Sequence, residues 1–509
     1  MSTQELKEKD SLQSSASLNV DGFLRMVGGF GRFQWILDAI FCIILIPAAF
    51  QSLIMYFGAL NPDWKCIDNS TICTLNGTFS SSNEYRCNIP RSEWEFTQPK
   101  GYSMVTEFDI YCNSSWTVYM STSILFIGWL FGAIVLGWLS DNYGRKNILF
   151  ISVFVMLLFG LIGPFMPNLT LFFICRFFVG FFRPGVSVIM FILISELVGA
   201  RYRPAAGILF WFFFTIALCI MGLKAYFIRK WKILFIICSA PYFVVLLFYK
   251  FVPESVRWLR LKGKFDEALD VFQRIADWNG RKLNPNATVS KIIDEKRSSN
   301  PMELFRNKQM AIKTIIQGFA WMVSGMVYYG ISLAASDLGG SLYRDYILVS
   351  IVEFPAALLA IDFCERFGRR KTVCYSMILA GLLTLIVGFI PLAGGKAARV
   401  ALGMLGKMFV TLSYDSIYTW SVEIYPTDIR SEGMGFLQIT SRIGAASAPW
   451  IGKAVAVHHP SLPFIIMGTL GLISGVLTLY LPETKGQETQ ETDNDVTEEV
   501  FFLGEFKSD

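Results

Sequence analysis

Stretches of about twenty mostly apolar residues, the length that crosses a bilayer as a helix, recur along this chain from end to end. They fall at about 34–60, 117–139, 147–167, 169–195, 204–228, 231–252, 311–335, 343–364, 371–391, 397–421, 433–457 and 462–481. No water reaches the bilayer core to satisfy backbone N–H and C=O groups, so each stretch must close its hydrogen bonds on itself as a helix. The expected fold class is therefore an all-α membrane protein with twelve transmembrane helices. A hydrophobic fraction of 53% and a mean hydropathy of +0.46 exclude the soluble enzyme classes.

The hydrophilic segments set the topology. Residues 1–33 lack an apolar core followed by a cleavage site and are read as a cytosolic N-terminus. Within the first six-helix unit, 34–252, the loop 61–116 carries Cys66, Cys73, Cys87 and Cys112 and glycosylation sequons at Asn69, Asn76 and Asn113. Those features fit an oxidising extracellular face with two disulfides, for which three pairings are open. Further sequons at Asn168 and Asn286 are expected to be unused, the first because it sits against the membrane and the second because it faces inward. The linker 253–310 reads as one or two amphipathic helices lying along the inner surface. The second unit spans 311–481, and the acidic tail 482–509 closes the chain. Short-loop Lys and Arg residues fall on the side of both termini, so the net charge of +5 reports topology and implies no nucleic-acid partner.

The two units repeat each other. DNYGRK begins at Asp141 and ERFGRR at Glu365, an offset of 224. Glu196 stands seven residues before Arg203, and Glu423 seven before Arg430, an offset of 227. PESVRW begins at Pro253 and PETKG at Pro482, an offset of 229. Three motifs in one order at nearly one spacing point to duplicated halves related by an axis along the membrane normal. Charge-assisted bonds of Asp141 with Arg145 and Glu196 with Arg203 are expected at the inner helix ends, repeated by Glu365, Arg369, Glu423 and Arg430, as gating latches.

With GFGRFQ (29–34), AYFIRKW (225–231), VYYGISL (327–333), VEFPA (352–356), EIYPT (423–427) and PETKG (482–486) in this order, the chain resembles the organic cation, anion and carnitine transporters among the major facilitators. The resemblance implies two six-helix bundles around a central cavity, alternating access by rocking of the halves, and residence in the plasma membrane. It also bears on Arg442, which lies in the apolar helix QITSRIGAASAPW. An unpaired charge at membrane mid-depth costs several kcal/mol, so Arg442 should face a cavity and meet a partner or a ligand. The cation branch of the resembled family has aspartate here, whereas the anion and carnitine branches have arginine. SRIGAASAP and LPFIIMGTL are similar to the carnitine subgroup, while Ala48 and Ala357 replace an asparagine of that subgroup and a lysine of the anion branch.

Other candidates surround it. Glu353 and Lys407, near mid-depth, are expected to pair with each other, and Asp415 is open to pairing with Arg442 or to protonation. Lys224 is read as a substrate cation or a snorkelling side chain. Trp321 and Tyr328 share a helix face, as do Tyr414 and Tyr418, and the four aromatics suit a quaternary ammonium. The resemblance puts Trp321 and Tyr328 at substrate positions. His458 and His459 are the only histidines and lie at a helix end, and no phosphate-binding loop is present, so neither a metal, a cofactor, catalysis nor ATP-driven transport is expected. The reading is a secondary transporter of small organic ions, zwitterions such as carnitine first, with a coupling ion as an open partner. An organic anion transporter, a cation transporter and a non-cycling receptor are the alternatives.

Overall fold

The computed structural model describes residues 20–67, 72–73, 77–79, 84–199, 202–282, 301–334, 341–391, 395–426, 429–455, 459 and 461–486. Asn69, Asn76 and Asn286, and the side chains of Asn113 and Arg203, lie outside the described residues. Each apolar stretch lies on a helix. In chain order these are α1 Arg32–Gly58, α2 Trp116–Tyr143, α3 Arg145–Phe165, α4 Leu169–Leu197, α5 Arg203–Phe227, α6 Trp231–Lys250, α7 Lys308–Leu333, α8 Leu342–Phe367, α9 Arg369–Phe389, α10 Lys396–Ile424, α11 Arg430–Pro449 and α12 Leu462–Tyr480. Ten of them, among the described residues, are long and apolar enough to cross a membrane by composition alone. The two that fall short are α10, which carries Lys407 and Asp415, and α11, which carries Arg442. Charge is concentrated where the helices turn toward protein instead of lipid.

Packing repeats between the halves. In the first, α1 lies on α5 and α4 on both α2 and α3; in the second, α7 lies on α11 and α10 on both α8 and α9. The halves meet through α2 with α11 and α5 with α8. Ser123 Oγ donates to Ala446 O at 2.6 Å, Tyr119 meets Trp450 edge-on, and Tyr56 and Phe57 stack among Tyr343 and Tyr346. These contacts close the two halves against each other at the end bearing the cysteine loop.

That loop is more ordered than its composition suggested. A three-stranded antiparallel sheet, β1 Trp64–Cys66 between β2 Thr78–Phe79 and β3 Trp94–Phe96, packs Trp64 against Trp94. The disulfides are Cys66–Cys73 and Cys87–Cys112, which resolves the three open pairings. Strands this short cannot bury enough apolar surface alone, and the two disulfides compensate. Lys232 Nζ pairs with Glu107 at 2.9 Å and ties the loop to α6. Asn168 is the N-cap of α4, its side chain accepting from Leu171 N at 2.9 Å.

At the opposite end the linker forms two helices, Val256–Leu261 and Phe265–Asn279. Ala268, Phe272, Ile275 and Ala276 form the buried face of the second. Phe272 stacks on Phe23 of a short helix, Val20–Met26, which the polar N-terminal sequence did not suggest. Asn279 then locks this layer to α1: its Oδ1 accepts from Phe33 N at 3.0 Å and its Nδ2 donates to Val27 O at 2.8 Å.

Candidate functional site

The three repeated motifs converge at the basic end of each half. Gly144 holds φ +99° between α2 and α3, and Gly368 holds φ +91° between α8 and α9, a backbone region that favours glycine. Glu254 Oε1 accepts from Arg145 N at 2.9 Å and Lys146 N at 3.1 Å; Glu483 accepts from Arg369 N at 2.8 Å and Arg370 N at 3.1 Å. A carboxylate thereby caps each helix N-terminus, where free N–H groups and the helix dipole favour negative charge. Glu483→Ala removes that cap and should cost about 1–2 kcal/mol, seen as a lowered thermal midpoint of the purified protein.

Of the expected latch pairs, Asp141 with Arg145 forms at long range, and Arg145 and Arg369 take closer carboxylates on neighbouring helices. Glu196 pairs with Arg145 at 2.9 Å and accepts from Ser255, while its expected partner, the Arg203 side chain, lies outside the described residues. Its counterpart Glu423 pairs with Arg369 at 3.0 Å and accepts from Thr484. Asp141 reaches Arg145 only at 3.7 Å and is mostly exposed, as is Glu365. Arg430 Nε donates to Tyr425 O, back onto its own chain. Spacing along one motif suggested local pairs, but the turn at Gly144 swings Arg145 onto α4, and Gly368 does the same for Arg369. Each cluster lies within one half.

At mid-depth, Lys407 and Glu353 form a buried ion pair at 3.1 Å. Lys407 Nζ also donates to Ser332 Oγ and Tyr328 O and sits 3.0 Å from the Tyr328 ring centroid. Glu353 accepts from Tyr328 OH at 2.8 Å and from Thr215 on α5 at 3.2 Å, so the pair reaches across to the first half. Asp415 lies near enough to this pair for the charges of Glu353 and Lys407 to act on it. No ion pair joins it to Arg442 among the described residues.

Arg442 is instead surrounded by rings. Its guanidinium lies 3.9 Å from the Trp129 ring centroid and donates to Gln438 Oε1 at 3.3 Å. Tyr329, Tyr414 and Tyr418 stand around it, Tyr329 within hydrogen-bonding reach, and its buried Nε has no hydrogen-bond partner. The expected aromatics do come together: Trp321 meets Tyr418 at 4.4 Å and Tyr414 at 5.8 Å, and Tyr414 meets Tyr328 at 5.8 Å. Trp321 is wholly buried, its Nε1 donating to Ser421 Oγ at 2.9 Å. The structure does not bring Lys224 to this group, since its Nζ lies 4.5 Å from the Phe50 ring centroid and donates to Tyr242 OH at 3.2 Å, inside the first half.

Sequence reasoning missed the first half's share. Arg183 on α4, in the run FFVGFFRPGVSV, is 2% exposed and lies 4.7 Å from the same Trp129 ring. The signal was available: it is the same kind of charge within an apolar helix that drew attention to Arg442.

Residues 38–496 match the family described as "Sugar (and other) transporter". Solute carrier family 22 member 3 of Rattus norvegicus is 35% identical over 406 residues, covering 79% of this chain and 73% of that protein. The chain belongs to solute carrier family 22. An organic cation transporter-like protein of Drosophila melanogaster is 32% identical over 514 residues, covering 92% and 90% of the two chains, and solute carrier family 22 member 13 of Homo sapiens is 33% identical over 405 residues, covering 79% and 73%. Among solved structures, the inward-open xylose transporter XylE from E. coli superposes with a TM-score of 0.62 at 15% identity over 89% of this chain and 98% of that one. The fold is thus that of the major facilitators, twelve helices in two pseudo-symmetric bundles. This family member is a multi-pass secondary transporter and not an enzyme.

Proposed function

We propose that this transporter moves small organic ions bearing a carboxylate, carnitine- and betaine-like zwitterions first, across the plasma membrane by alternating access. The observation that carries the reading is Arg442, 7% exposed and without a carboxylate partner among the described residues. A guanidinium in that state suits a bidentate carboxylate, and its rigid fork discriminates by geometry as well as charge. In this reading the aromatic group of Trp321, Tyr328, Tyr414 and Tyr418 meets the cationic end of a zwitterion once the halves move. The basic-end clusters of Glu196 with Arg145 and Glu423 with Arg369 then act as braces that let each half rock as a body. In this reading the cysteine loop faces outside and both termini face the cytosol.

A second reading, transport of organic anions, is favoured by one observation: the face of Tyr328 is already covered by Lys407. Uptake into proteoliposomes of L-carnitine, ergothioneine, glutarate and tetraethylammonium separates the two. Uptake of carnitine or ergothioneine supports the first reading, uptake of glutarate alone the second, and uptake of tetraethylammonium alone contradicts both. A protein that binds one of these compounds and translocates none is a receptor instead.

Asp415, half-buried and outside the Lys407–Glu353 bridge, is the candidate for a coupling proton. Wild-type uptake should then vary with external pH, and Asp415→Asn should flatten that dependence. Identical pH profiles in the two proteins would exclude the role.

A further inference from the structure

Two guanidiniums meet at one indole, and they come from opposite halves. Arg183 projects from α4 and Arg442 from α11, and both lie against Trp129 of α2, at 4.7 and 3.9 Å from its ring centroid. Arg183 donates Nε to Ser52 Oγ of α1 at 3.1 Å, while its Nη1 is buried without a hydrogen-bond partner, as is Nε of Arg442. Tyr329 of α7 is close enough for both charges to act on it. Among the described residues, neither arginine forms an ion pair with a carboxylate. Two carboxylates at membrane depth, Glu353 and Asp415, are grouped instead around Lys407.

Like charges this close repel, and the repulsion is strong where solvent is excluded. Burying one guanidinium without a counter-ion is already costly; burying two around one indole calls for an anion. Phenol hydroxyls and an indole face ease the cost without neutralising either charge.

We infer that Arg183 is a second ligand for the substrate's carboxylate, so that one bound anionic group bridges the two halves between Arg183 and Arg442. This rests on the proposed carboxylate site at Arg442 and adds a partner from the other half. A bridging anion relieves the repulsion across the interface between halves and favours the state in which they close around the substrate. The chemical class is a carboxylate or a similarly compact oxyanion, and a cation without such a group gains nothing here.

The test uses the full chain in proteoliposomes, with labelled L-carnitine and glutarate as probes and tetraethylammonium as the control. Arg183→Gln, Arg183→Lys, Arg442→Gln and the Arg183→Gln, Arg442→Gln double variant are compared after equal incorporation is verified. Arg183→Gln should raise KM for the transported acid by about ten- to a hundredfold, and Arg183→Lys should recover part of that loss. The double variant should lose much less than the product of the single losses, because both side chains serve one group. If Arg442→Gln raises KM and Arg183→Gln does not, the bridging inference fails while the site at Arg442 stands. If Arg183→Gln lowers maximal rate with KM unchanged and Arg183→Lys restores nothing, Arg183 is structural and the inference fails. A wild-type protein that takes up neither acid overturns the carboxylate reading and the bridge together.

Discussion

Lys407→Ala should destabilise this transporter more than any other single substitution at mid-depth. The ammonium it removes is 1% exposed and is held by Glu353 at 3.1 Å, Ser332 Oγ at 2.8 Å and the Tyr328 ring. Without it, Glu353 remains buried with only Tyr328 and Thr215 hydroxyls to meet its charge. Breaking a buried pair from one side costs about 3–5 kcal/mol, because the surviving charge is uncompensated. Replacing both partners, as in Lys407→Met with Glu353→Gln, removes that penalty. The single variant should therefore show a large fall in folded yield and thermal midpoint, and the double variant should recover most of both. Equal losses in the single and double variants would mean that the pair is not the cause.

Arg442→Gln should abolish carboxylate uptake while leaving the protein folded. The guanidinium contributes little to packing that glutamine cannot keep, since its hydrogen bonds run to Gln438 on its own helix and to Tyr329, and its ring contact is to Trp129. Removing a buried unpaired charge relieves a desolvation cost, so the thermal midpoint should hold or rise. Transport should behave in the opposite way. Two charge-assisted bonds at roughly 1.5–3 kcal/mol each correspond to a loss of about a hundredfold or more in kcat/KM for an acid. Unchanged acid uptake by a folded Arg442→Gln protein would remove the central site.

Much of the architecture was legible in the sequence because lipid imposes one rule on every spanning segment. Long apolar runs must be helices, and the offset motifs around Arg145 and Arg369 marked the duplication before any contact was known. The four aromatics on α7 and α10 also converge as their helical spacing suggested. What escaped the sequence depended on contacts between distant segments. The pairing of Arg145 with Glu196 depends on the turn at Gly144, and the small sheet at Trp64 depends on two disulfides closing a polar loop. Lys224 looked like a cavity cation by composition, yet Phe50 and Tyr242 enclose it within the first half. Arg183 carries the same sequence signal as Arg442, a charge within an apolar helix, but only the shared contact with Trp129 brings the two arginines to one ring.

The most direct test is uptake by the wild-type protein of matched compounds that differ only in the carboxylate, L-carnitine against its methyl ester and glutarate against glutaramide. Saturable uptake of an acid, with its ester or amide partner neither transported nor competing, is the predicted result. Ester or amide carried as well as the acid would contradict a carboxylate site at Arg442.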